Sequence, residues 1–242
     1  MKKGFTLVEL IVVVGILGVL AALVFPALHS AHERGLDAKC KNNLRELAGA
    51  AILYSDEHRG QFPWAMRTWS DCWDFKTIHG EYVMGEMWEY TSSKDILACP
   101  KCYGKNDNWA GIGFTGYNYN SCYAGKVIGD PGKRQSPSRV QNFPNPSRMA
   151  LFGDAGYGDP EQMNKFMRAP RTSKQFDRSG ASLRKAGTQS FRHLGHCNVS
   201  FADGHVESMF ISYKSDGNKG FVSGHTGFLS PDNELYSGGL EK

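Results

Sequence analysis

Several side chains in this 242-residue chain could hold a metal, join as disulfides or move protons. There are six thiols, Cys40, Cys72, Cys99, Cys102, Cys122 and Cys197, two of them in a Cys-Pro-Lys-Cys run. His193, His196, Asp203 and His205 lie between positions 193 and 205, and Asp154 follows the apolar run "MALFG". Asp154 and Asp203 with loop carbonyls would suit calcium, with His193 and His205 as further candidate ligands. Cys99, Cys102, Cys122 and Cys197 have the ligand types of a zinc site, but a second Cys-x-x-Cys is absent. Cys99 and Cys102 also have the spacing of a redox dithiol, without the βαβ surroundings such a dithiol needs. The plainer reading leads: Asp203 serves the backbone of its own turn, and His193 hydrogen-bonds a loop carbonyl. Nothing resembles a nucleophile with an oriented base, so a non-enzymatic chain without a cofactor is expected.

The elements that must position these groups are short. Strands are predicted over 147–153, 197–202 and 205–211. The last two are joined at "ADGH", where Asp203-Gly204 predicts a two-residue type I′ hairpin turn with positive φ at both centres. A short helix is expected over 84–90. Residues 104–146 and 157–190 are rich in Gly, Asn, Pro, Lys and Arg and read as long surface loops, functional or stapled. Little regular structure is expected after Tyr213. Phe62, Trp64, Trp69, Trp73 and Phe75 crowd one stretch, where packing of a helix-to-head junction leads over a ligand or subunit contact.

Upstream, "LRELAGAAILYSDEHRG" continues a helix whose apolar positions Leu36, Cys40, Leu44, Leu47, Ala51 and Tyr54 form one stripe. Gly60 and Pro63 end it; Pro26 and Gly35 are weak points, and two helices hinged over 27–35 are the alternative. Before that, every residue from Leu10 to Leu28 is apolar, Gly or Pro, enough with its flanks to span a bilayer. Lys2 and Lys3 place the N-terminus on the cytoplasmic side. An uncleaved anchor or an ordinary signal would both fit, yet Glu9 sits inside the run, where a carboxylate costs about 2.5–3.5 kcal/mol. A net charge of +4, with no basic run interleaved with aromatics, argues against nucleic acid as partner.

"KGFTLVEL" resembles the class III signal of type IV pilins and type II secretion pseudopilins. The resemblance implies cleavage between Gly4 and Phe5 by a prepilin peptidase, N-methylation of Phe5, and pairing of Glu9 with the Phe5 amine of a neighbouring subunit. "CKNNLRELAGAAILYSDEHRGQFP", "ILACP", "GYNYN" and "PSRMALFGDAG" resemble blocks of pseudopilin-like proteins of planctomycete, verrucomicrobial and lentisphaeral type. So does the H-x9-DG pattern of His193, Asp203 and Gly204. The implied architecture is α+β, a pilin-like lollipop. Residues 1–4 form a leader, 5–29 a transmembrane or filament-core half-helix that protrudes, and 30–59 an amphipathic half. Residues 60–242 form a β-rich antiparallel head.

The implied function is a structural filament subunit. It would begin as a single-pass inner-membrane protein with a periplasmic head, then enter a periplasmic or cell-surface filament. Its partners would be like subunits, the peptidase and methylase, and the secretion or pilus assembly machinery. The alternative is a membrane-anchored extracytoplasmic protein that binds a glycan or other ligand without polymerising. Outside the cytoplasm, disulfides are the default for the six cysteines, and a tie from Cys40 to Cys99 or Cys102 ranks first.

Overall fold

The computed structural model describes residues 6–68, 70–91, 93–102, 116–126, 136–156, 164–171, 187–214 and 225–240. The chain divides into two compact units, Met1–Ala38 and Lys39–Lys242. One helix, α1 (Leu7–Glu57), supplies the described regular structure of the first unit and opens the second. It runs unbroken through Pro26 and Gly35, so the two-helix alternative does not hold. Leu, Ala, Glu, Lys and Arg dominate its second half and are good helix formers. Its end is a Schellman-type cap: the Gly60 N–H donates to the Ser55 carbonyl at 2.7 Å while Arg59 takes φ +56°.

In the first unit the large apolar side chains of the segment 7–28 are exposed, and Glu9 is its one ionisable residue. The segment is long and apolar enough to cross a membrane. In the second unit, Cys40, Leu44, Leu47, Ala51 and Tyr54 are buried as the stripe predicts, with Ala48, Ala50, Asn43 and Ser55 beside them. Burying Leu44 and Leu47 contributes about 2 kcal/mol each.

That stripe joins the core of a five-stranded sheet. Its strands are β5 (Tyr117–Asn120), β6 (Ala150–Asp154), β7 (Phe166–Met167), β9 (Cys197–Phe201) and β10 (Val206–Met209), in the order β10-β9-β6-β5-β7. All neighbours are antiparallel except β5 and β7. The register of β6 on β9 shifts between Ala150 and Phe152, a bulge. A separate antiparallel meander contains β1 (Met66–Thr68), β2 (Asp71–Cys72), β3 (Phe75–Ile78) and β4 (Glu81–Met84). β8 (Gln189–Ser190) pairs with β11 (Thr226–Gly227), and a short helix α2 (Glu234–Ser237) lies near the C-terminus. The architecture is therefore α+β, as expected.

The strands predicted at 147–153, 197–202 and 205–211 appear as β6, β9 and β10, and the helix at 84–90 is a 3-10 turn, Glu86–Tyr90. Three other expectations are corrected. Within 104–146, residues 117–126 are buried and include β5, next to the sheet's centre. Within 157–190, β7 and β8 are largely buried, and the tail, where little regular structure was expected, holds β11 and α2 with Tyr236 fully buried. The physical reason is the same in each case. Polar side chains here satisfy backbone groups inside the core, so they do not mark surface. Asn120 donates to the carbonyls of Ala150 and Tyr236 at 2.8 and 2.9 Å and accepts from the Tyr123 N–H. Tyr236 donates to Gln189 Oε1 and accepts from the Leu229 N–H.

Candidate functional site

At the N-terminal end, Gly4 and Phe5 lie outside the described residues. Thr6 and Glu9 are described, and they form a capping box. The Thr6 N–H and hydroxyl both donate to Glu9 Oε2, at 2.9 and 2.7 Å, and the Glu9 N–H donates to Thr6 Oγ1 at 3.3 Å. The Thr-x-x-Glu spacing of residues 6–9 is itself a sequence signal for such a cap. Glu9 therefore satisfies orphan amide groups at the start of α1, next to 22 residues in which nothing else is ionisable (7–28, Glu9 excepted). A long apolar helix so capped can serve as an anchor, or as the packing surface of a helical assembly.

Comparison with known proteins bears on the same segment. A family model described as the prokaryotic N-terminal methylation motif matches residues 1–25. The chain's first residues are similar to those of pilin-like proteins. The chain is 42% identical over 53 residues to the type II secretion system core protein G of Pseudomonas aeruginosa. That stretch covers 22% of this chain and 37% of the relative, so the match spans well under half of either protein. No solved structure matches the chain.

A second site lies in the unit 39–242. Cys40 on α1, Cys99 in the loop before the Pro100–Cys102 turn, Asp154 at the end of β6 and His193 before β9 bring their donor atoms within 4.8 Å of one another. All four are buried. The Cys40 thiol donates to Asp154 Oδ1 at 3.0 Å, and His193 Nε2 stands 3.5 Å from both that oxygen and Cys99 Sγ. The other Asp154 oxygen accepts the Asn198 N–H at 2.7 Å, which fixes the carboxylate plane. Burial pushes the Cys40 thiol up, whereas hydrogen bonding with Cys102 holds the Cys99 thiol below its ordinary range. For His193, burial works against the charged ring, but Asp154 and Cys99 outweigh it and raise the imidazole to about 9.

Local backbone explains how His193 reaches this position. His193 and His196 exchange both backbone hydrogen bonds around Leu194 (φ +51°) and Gly195 (φ +86°). Positive φ at both centres is the type I′ geometry, and an exposed leucine holds one of them at a cost of about 1–2 kcal/mol. At Gly116, φ is +78°, and a Cβ there would stand 2.7 Å from the Cys99 Cβ and 3.1 Å from the Cys102 Cβ. Only glycine leaves room for the two cysteines.

The sequence-predicted site residues thus divide. Asp154 and His193 come together, with Cys40 and Cys99 as partners that spacing alone did not join to them. Asp203 and His205 do not join them. They stand at the far end of β9, roughly 15 Å away along the strand at 3.3 Å per residue. There Asp203 Oδ1 pairs with His205 Nδ1 at 2.5 Å and accepts the His205 N–H.

The turn between them is also corrected. Phe201 and His205 close a three-residue loop in which, of Ala202, Asp203 and Gly204, only Gly204 (φ +91°) is left-handed. This is a type I turn with a glycine bulge, where type I′ was expected. His193 was expected on a loop carbonyl and instead faces Asp154 and Cys99. All six cysteines are free thiols, so the expected Cys40 tie to Cys99 or Cys102 is not formed. Of the other proposed zinc ligands, Cys122 accepts the Ala169 N–H and Cys197 lies against backbone carbonyls.

The aromatic stretch is core. Phe62, Trp73 and Phe75 are buried, and Trp73 donates its Nε1–H to the Lys165 carbonyl while packing on Tyr119 and Phe152. Trp64 is half-buried, and Trp69 lies outside the described residues.

Proposed function

We propose that the chain is a structural, non-enzymatic subunit of a type IV pilus-like or type II secretion-like pseudopilus filament. Its precursor sits in the inner membrane, Lys2 and Lys3 on the cytoplasmic side and residues 39–242 on the other. A prepilin peptidase cuts between Gly4 and Phe5 and the new amine is methylated. The observation that carries this reading is the methylation motif at residues 1–25 opening an exposed apolar helix whose carboxylate lies in its first turn. After cleavage the Phe5 amine is a charge that needs a partner among apolar helices, and Glu9 is the nearest acid in sequence. Like subunits, the processing enzyme and an assembly machinery are then the partners. The head crosses to the periplasm with the precursor and ends in a periplasmic or surface filament.

The buried state of Phe62, Trp73 and Phe75 removes most of the platform that a glycan-binding head would use. The decisive experiment is intact mass and N-terminal sequencing of the chain from its native cell. An N-methylated Phe5 is expected; a retained Met1 would sink the proposal. Electron microscopy of sheared surface fractions, probed with an antibody to residues 39–242, then tests polymerisation. Wild-type chain is expected in filaments and Glu9→Lys is not.

A further inference from the structure

Cys40, Cys99, Asp154 and His193 bring two thiols, a carboxylate and an imidazole together out of solvent. Zinc bonds of about 2.0–2.3 Å at tetrahedral angles place neighbouring donor atoms about 3.3–3.8 Å apart. Three of the six edges here are 3.0 Å for Cys40 Sγ to Asp154 Oδ1, 3.5 Å for Asp154 Oδ1 to His193 Nε2, and 3.5 Å for His193 Nε2 to Cys99 Sγ, and all four donor atoms lie within 4.8 Å of one another. Two of these edges have the spacing of a zinc tetrahedron and the third is about 0.3 Å short of it.

The four residues come from four separate segments, so sequence spacing concealed them: a helix, a loop, a strand end and a strained turn. A protein with only a core to fill has no need to hold Leu194 at positive φ so that His193 can be aimed at a thiol and a carboxylate. Gly116 leaves space beside Cys99 and Cys102 that any side chain would occupy. Arg192 donates to Cys102 Sγ and to the Ala155 and Gly116 carbonyls, which puts a cation beside the group.

We propose that Cys40, Cys99, Asp154 and His193 bind one zinc ion in a closed, four-coordinate structural site. Two thiolates, an imidazole and a carboxylate select zinc over calcium, which takes six or more oxygens. On binding, the thiols and the imidazole release to solvent the protons they carry at their ligating atoms, so that two thiolates, a neutral imidazole Nε2 and a carboxylate meet the ion. Two thiolates and a carboxylate leave the loaded site with one negative charge, which Arg192 offsets. The full set of four ligands leaves no open position for water, so the role is to fasten residue 40 of α1 to the loop at Cys99, to β6 and to the His193 turn. Cys102, partly buried beside Cys99, is a neighbour of the site and not one of its ligands.

The test uses the full-length chain in detergent micelles, purified under reducing conditions and stripped with a chelator. Zinc titration should give about one ion per chain, and cobalt should give the intense red-region bands and thiolate charge-transfer absorption of a tetrahedral site. Cys99→Ser and His193→Ala should each lower zinc affinity at least about 100-fold, and Cys72→Ser should leave it unchanged. Should either ligand variant fail to fold, the wild-type chain still decides, because zinc must raise its melting temperature. Two results would overturn the proposal. One is a stripped wild-type chain whose melting temperature ignores zinc and whose cobalt spectrum lacks thiolate bands. The other is peptide mapping of the native chain showing a Cys40–Cys99 or Cys99–Cys102 disulfide.

Discussion

Asn120 is fully buried in β5, and its side chain satisfies three backbone groups from three parts of the chain. Replacing it by Ala would strand two carbonyls and an amide in a dry core. Asn120→Ala is expected to cost about 3 kcal/mol, read as a lower midpoint in chemical denaturation with unchanged slope. Such residues explain why "GYNYN" resembled a loop: alternation of Tyr and Asn has no apolar face, and only the partners reveal the strand. Glu86 carries a second prediction. Burial alone would raise its carboxyl, but hydrogen bonds from Arg67, Tyr54 and Lys76 outweigh this and hold it below its ordinary 4.5. A lowered folded value stabilises above 4.5 and is lost as the pH falls through it. Glu86→Gln should therefore melt earlier at neutral pH, by about 1 kcal/mol given its partial exposure, and the gap to wild type should close in acid.

Turns and caps are the elements that decide where side chains arrive. The Asp203-Gly204 hairpin was legible as a hairpin, but its type was not, because one residue of loop length changes which centres must be left-handed. The type I′ geometry appears instead at Leu194-Gly195 and at His79-Gly80, where the dipeptides give no strong signal. Gly204→Ala should cost about 1–2 kcal/mol from its positive φ, since the new Cβ would meet only Ile52 at an ordinary 3.4 Å. At the other end of the chain, the cap and the proposed filament role of Glu9 can be separated. Thr6→Ala removes the hydroxyl of the box and keeps the carboxylate, so it should frustrate only the first turn, by about 1 kcal/mol. Filament recovery in sheared fractions should be near wild type for Thr6→Ala and abolished for Glu9→Ala.

Across the whole molecule, two patterns in the sequence carried the outline: the apolar run that becomes α1, and the alternating strands that become β9 and β10. The core stripe from Cys40 to Tyr54 was readable because its period is that of a helix. The convergence of Cys40, Cys99, Asp154 and His193 was not, because it depends on four chain segments meeting and periodicity reports only one segment at a time. A similar long-range join holds the meander to the main sheet. Lys165, preceding β7, donates to both Asp74 oxygens at 3.1 and 3.2 Å and lies 3.8 Å from the centre of the Phe75 ring. Both partners are buried, so losing either leaves an uncompensated charge, a change worth about 3–5 kcal/mol, whereas replacing both by apolar residues is close to neutral. The evolutionary path between those two solutions runs through an unstable intermediate. Positions 74 and 165 are therefore expected to change in step among related chains, as a coupled pair that drift cannot dismantle one residue at a time.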